Sequence, residues 1–170
     1  ATGEFPHATY EILGDALWSQ VDIHREYGGV FPALAKREHA AVIVSLLEKC
    51  LTEAGVLERE QIEIDTFLET EIQTLLTREP NLADTLLAFA GKYSRVEIDL
   101  IAVTSGPGLE PALWVGVNFA RALALLWDIP VVPTDHMEGH VLASIFDADR
   151  DDQLSDITFP AVSLLISGGH

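Results

Sequence analysis

Two histidines four residues apart, His136 and His140, stand where a helix is expected to begin, within Asp135-His136-Met137-Glu138-Gly139-His140. That spacing is a little over one helical turn, so both imidazoles project from one face, as a shared metal ion requires. Neutral imidazole suits zinc or iron, but two ligands do not complete a site and a third must come from elsewhere. Of the neighbouring carboxylates, Asp135 is placed to cap the helix N-terminus. Glu138 lies about 200° around an ideal helix from His136 and should miss an ion held by the pair. The order His-x-Glu-x-His is neither zinc-peptidase pattern, His-Glu-x-x-His nor His-x-x-Glu-His. On spacing alone, a structural or surface pair fits these two histidines at least as well as a metal site.

Two glycine motifs offer a second kind of chemistry. Ser167-Gly168-Gly169 follows an apolar run; its two glycines let consecutive backbone N–H groups face a phosphate or carboxylate, and Ser167 adds a hydroxyl donor. Gly106-Pro107-Gly108 sits between an expected strand and an expected helix, where backbone can approach an anion, but it lacks the spacing and lysine of a P-loop. Both also read as plain strand-ending turns.

The elements that must position these residues alternate. Residues 10–21 mix apolar and polar positions in the manner of a strand, and Tyr27-Gly28-Gly29-Val30-Phe31-Pro32 reads as a turn. Over 33–54, Leu34, Ala41, Ile43, Val44, Leu47 and Leu51 recur at helical spacing up to a stop at Gly55. A second helix is expected over 60–77. Glu79-Pro80-Asn81 breaks and recaps it, and a third helix over 82–89 ends at Gly91. Residues 98–104 read as a buried strand, 111–127 as a helix, 129–133 as a short strand, 136–146 as a helix and 159–166 as a final strand. Residues 147–156, with five aspartates, read as a solvated loop. Strand, helix, strand, helix, strand is the order of an α/β layer on a mainly parallel sheet. The last strand leads to Gly-Gly with almost nothing after it, the ending expected of a fragment.

Composition narrows the classes. The 170 residues, 48% of them hydrophobic, suffice for one domain with a real core. No apolar stretch reaches the roughly 18–20 residues that span a bilayer, and the N-terminal residues carry no signal-peptide pattern. Cys50 is the only cysteine, which excludes an internal disulfide and fits a reducing cytosol. With 27 acidic against 10 basic residues, the formal charge of −17 repels phosphate backbones, so this stretch by itself is a poor nucleic-acid binder. The acidity reads either as a solvated surface or as a docking face for a basic partner.

Taken in order, Val103-Thr104-Ser105-Gly106-Pro107-Gly108-Leu109, the run Val115-Gly116-Val117-Asn118-Phe119-Ala120-Arg121-Ala122-Leu123-Ala124, His136-Met137-Glu138-Gly139-His140 and Leu164-Leu165-Ile166-Ser167-Gly168-Gly169-His170 resemble the bacterial TsaD family. These are tRNA adenosine threonylcarbamoyltransferases, formerly labelled O-sialoglycoprotein endopeptidases (the glycoprotease family). Ser19-Gln20-Val21 and Tyr27-Gly28-Gly29-Val30-Phe31-Pro32 with Leu34-Ala35 extend the likeness. The resemblance implies an α/β, actin-like ATPase fold of the sugar-kinase and heat-shock-protein type, built from two lobes. Residues 1–170 would be a single partial domain, most of the first lobe. The family's opening strand and whole second lobe would be absent, and residues 56–97 would form a helical insertion. His136 and His140 would hold one divalent metal ion, iron or zinc, whose remaining aspartate ligand belongs to the second lobe. Leu165, Ile166, Ser167, Gly168 and Gly169 would cradle the adenylate ligand. No catalytic residue is assigned.

The implied activity is transfer of threonylcarbamoyl from its adenylate to the adenosine beside the anticodon of tRNA, in the cytoplasm, with the fragment inactive alone. Implied partners are a paralogous subunit, a small ATPase and tRNA bound by the full-length complex, with no membrane. The first-lobe helices, about 33–54, would serve pairing with the paralogue or a homodimer. Two departures stand out: Asp135 where the family often has asparagine, and Ala33 where Pro-Glu-Leu-Ala is usual. The alternatives are a metal-dependent peptidase, which lacks a correctly spaced glutamate, and a non-catalytic partner-binding paralogue, which has no need of the histidine pair and the Gly-Gly turn together.

Overall fold

A βαβ unit carries the histidine pair. In the computed structural model, which describes residues 11–25, 28–145 and 160–165, β1 (Ile101–Gly106) runs parallel to β2 (Val131–Asp135), and α5 (Glu110–Trp127) crosses between them. Ile101 stands opposite Val131 and Thr104 opposite Thr134; the register shifts before Gly106, which faces Asp135. There the Ser105 hydroxyl donates to the Thr134 carbonyl at 3.3 Å. β2 passes without a loop into α6 (His136–Ile145). The earlier elements are α1 (Val21–Arg25), α2 (Pro32–Glu53), α3 (Thr66–Leu75) and α4 (Pro80–Ala90). The α/β class expected from the sequence is observed.

The core lies among the helices. α4 buries Leu82, Leu86 and Phe89, and α5 buries Val115, Phe119, Ala122 and Leu123, both at helical intervals. Ile72 and Leu76 close one end, Trp127 is buried with them, and Ile43, Val44 and Leu47 of α2 pack from the side. α2 ends as its residues dictate: Ala54 caps it, and Gly55 at φ 70° takes the left-handed turn a side chain would resist. Segment 56–97 therefore supplies a large part of the core, through Ile72, Leu76, Leu82, Leu86, Phe89, Tyr93 and Val96.

Three sequence expectations are corrected. Residues 11–20 form no strand, and Val21 already begins α1. The segment lies along α2: Asp15 N–H goes to Glu53 Oε2 at 3.3 Å, and a Cβ at Gly14 would collide with the Cys50 carbonyl. Its backbone is thus committed to a helix surface instead of a sheet neighbour. The helix expected from residue 60 starts at Thr66, where the Asp65 carboxylate accepts from Phe67 and Leu68 N–H groups. Before it, Glu60 and Ile62 donate backbone hydrogen bonds to Lys92 and Gly91, so the alternation through Ile64 belongs to an extended segment. Third, residues 160–165, the described part of the expected final strand, join no sheet. The aspartate loop lies outside the described residues.

A polar cluster ties α2 to the turn after α4. Lys92 Nζ lies 2.8 Å from Glu48 Oε1 and 4.7 Å above the Tyr93 ring, and the Tyr93 hydroxyl donates to the same carboxylate. The hydrogen bonds from Lys92 and then Tyr93 hold the Glu48 pKa below its ordinary 4.5. A carboxylate depressed by folding contributes stability above its unfolded pKa and loses it as pH falls through the folded value. Glu48→Gln is therefore expected to flatten the acid limb of stability below about pH 5, measured by urea unfolding across pH, while leaving the slope between about pH 6 and pH 9 unchanged.

Candidate metal centre

The strand-to-helix junction places the histidines. Asp135 Oδ1 accepts from the backbone N–H of Met137 at 2.7 Å and of Glu138 at 3.1 Å, capping α6 as its position predicts. One turn apart on α6, His136 and His140 bring their Nε2 atoms to 3.2 Å, with the rings edge to face at 70° and 4.6 Å between centroids. Two nitrogens bound to one ion at about 2.0–2.1 Å stand roughly 2.8–3.4 Å apart for bond angles between octahedral and tetrahedral. The pair fits a shared ion, and the same distance suits a hydrogen bond from one ring to the other. Both histidines are exposed and α6 buries no residue, so a ligand can reach them. Among the described residues no group of three or more His, Cys, Asp or Glu side chains gathers to hold a metal.

Of the residues expected to cradle an adenylate, Leu165 is described and 40% exposed; Ile166, Ser167, Gly168 and Gly169 lie outside the described residues. Gly106-Pro107-Gly108 joins β1 to α5, with Leu113 packed against Gly108.

The structure joins two other histidines that spacing does not link. The Gln20 amide lies 3.0 Å from His24 Nε2 through its oxygen and 2.9 Å from His39 Nδ1 through its nitrogen. His39 Nδ1 also meets the Ala35 carbonyl at 2.7 Å, and one ring nitrogen can donate to the carbonyl or accept from the amide, not both. His24 is 7% exposed. The cluster borders a cavity of about 840 Å³ walled by Trp18, Val30, Val103, Leu109 and Leu113. Gln20 and His24 stand four residues apart, a readable signal once a helical turn there is known.

With that geometry in place, comparison with known proteins identifies the class. The chain belongs to the TsaD family, tRNA N6-adenosine threonylcarbamoyltransferase, whose model matches residues 11–65 and 76–170. A tRNA N6-adenosine threonylcarbamoyltransferase of Thermomicrobium roseum is 35% identical over 159 residues, covering 94% of this chain and 33% of the relative. The chain thus spans about a third of that relative's length. No helix among the described residues is long and apolar enough to cross a membrane.

Proposed function

We propose that this chain is most of the first lobe of a two-lobed, actin-like ATPase-type protein of the cytoplasm. The whole protein transfers threonylcarbamoyl from threonylcarbamoyl-AMP to the exocyclic amine of the adenosine beside the anticodon of tRNA. The observation that carries this reading is the family match, which covers residues 76 to 170 and so includes the histidine pair and Ser167-Gly168-Gly169.

In the reaction, the amine nitrogen forms a bond to the carbamoyl carbon, the bond from that carbon to the phosphate oxygen breaks, AMP leaves with the electron pair, and the amine gives up a proton. His136 and His140 supply two ligands for one divalent ion, iron or zinc, with the remaining carboxylate coming from the second lobe. When bound, such an ion supplies charge stabilisation to an oxygen of the donor. Residues 165–169 offer backbone N–H groups and the Ser167 hydroxyl to the adenylate's phosphate. The Asp135 cap fixes the first turn of α6, and with it the orientation of both imidazoles.

The acidic charge means that tRNA phosphates are met mainly by the second lobe and by partners, a paralogous subunit and a small ATPase. α2 is the natural face for pairing with the paralogue or with a second copy. The test of the acceptor is chemical: the full-length protein with partners is given labelled adenylate and tRNA in which purine replaces the target adenine. Label is expected in unmodified tRNA and absent from the analogue, which lacks the exocyclic amine. Equal labelling of both would overturn the assignment of the nucleophile.

A further inference from the structure

β1 has β2 on one edge and, among the described residues, no strand on the other. The Ile101 N–H donates to the Pro130 carbonyl at 3.0 Å. In this parallel ladder Ile101 and Val103 therefore address β2, while Ala102 and Thr104 turn their N–H and C=O groups to the open edge. Such a row of backbone donors and acceptors is a template for another strand.

The space beside β1 has room for one. Val103 and Thr104 line the cavity of about 840 Å³, together with Ala112 and Gly116 of α5 and with Trp18 and Gln20 from the end of the extended segment that precedes α1. Ala112 and Gly116 are small, and leave depth over α5 for the side chains on one face of a strand. Val21 and Val30 line the same cavity while 63% and 59% exposed. Apolar side chains gathered at a bare sheet edge mark a surface that is covered in the working protein. Length says by what: the aligned region is 33% of the Thermomicrobium roseum relative, so the greater part of that protein lies outside it.

We propose that an extended segment of the whole protein, from outside residues 1–170, adds as a strand to the free edge of β1 and fills this cavity. Its backbone pairs with Ala102 and Thr104, and its alternate side chains are apolar and lie against Ala112, Gly116 and Val30. β1 then becomes an inner strand, so that Gly106, which faces Asp135 beside the histidine pair, belongs to a strand held from both edges. The inference rests on the reading that this chain is part of a longer protein, and not on the transfer reaction.

The test is hydrogen exchange of the full-length protein without tRNA or adenylate, resolved to single amides by electron-transfer fragmentation. The Ala102 and Thr104 amides are expected to exchange within about tenfold of the Val103 amide, which faces β2. Exchange at least about a hundredfold faster than Val103 would show an open edge and overturn the proposal, even in a protein that transfers threonylcarbamoyl normally. Protected amides in a protein that transfers nothing would uphold the strand and count only against the reaction. A photo-crosslinking amino acid in place of Val30 identifies the occupant. The expected adduct joins it to one stretch of the same chain outside residues 1–170. Adducts confined to residues 1–170, or formed only as linked dimers whose yield rises with concentration, would overturn the assignment in favour of a local contact or a second copy.

Discussion

In the full-length protein, His136→Ala and His140→Ala are each expected to lower bound metal from about one ion per chain to under about a tenth, and to slow transfer at least about a hundredfold. The magnitude follows from geometry. The Nε2 atoms stand 3.2 Å apart on adjacent turns, so removing either ring halves the imidazole pair and leaves one histidine with the proposed second-lobe carboxylate, a ligand set too small to hold the ion tightly. Glu138 provides the control. It lies between the histidines in sequence but off their face, so Glu138→Gln is expected to leave metal content within about twofold of wild type. Metal analysis of the three purified variants decides the point. Equal losses in all three would mean that α6 as a whole, not its histidine face, governs the ion.

The largest stability effect is expected at Lys36. Its Nζ lies 2.6 Å from Glu79 Oε1, joining the first turns of α2 to the residue that precedes α4, and the Glu79 side chain is 7% exposed. Lys36→Met leaves that carboxylate buried without its cation and is expected to cost about 3 kcal/mol. For a chain of this length that is roughly a 6–12 °C fall in Tm. Lys36→Met combined with Glu79→Met removes both charges and is expected to recover most of the loss, because a buried ion pair gains little over packed apolar groups once desolvation is counted. Urea unfolding of the two singles and the double gives the coupling directly. A Lys36→Met cost under about 1 kcal/mol would mean that water reaches Glu79 and that the pair is a surface one.

What the residues revealed in advance depended on whether their signals were local. α5 and α2 were legible because apolar residues recur at helical spacing, and for α2 the stop at Gly55 is explicit; the left-handed Asp128 cap that ends α5 emerged only in the structure. The Asp135 cap was legible for the same reason. The extended run before α3 was misread because Ile62 and Ile64 satisfy both a two-residue and a near-helical period, and only the distant Gly91 and Lys92 carbonyls decide between them. Residues 11–20 have strand-like composition, but their contacts with Cys50 and Glu53, more than thirty positions away, commit them elsewhere. The joining of His39 to Gln20 and His24 was invisible for the same reason, since His39 shows no helical spacing to either and meets them only through a folded chain. The histidine pair could be read as two candidate ligands, and no third candidate gathers beside it among the described residues.

The most direct test of the central claim, that the His136 and His140 face serves threonylcarbamoyl transfer, is the rate at which the full-length protein with its partners moves labelled threonylcarbamoyl from its adenylate to tRNA, wild type against His136→Ala. Robust wild-type labelling that falls at least about a hundredfold in the variant, with unchanged circular dichroism, is the predicted result. Equal rates in the two proteins would contradict it, and would make the histidine pair a structural feature of α6.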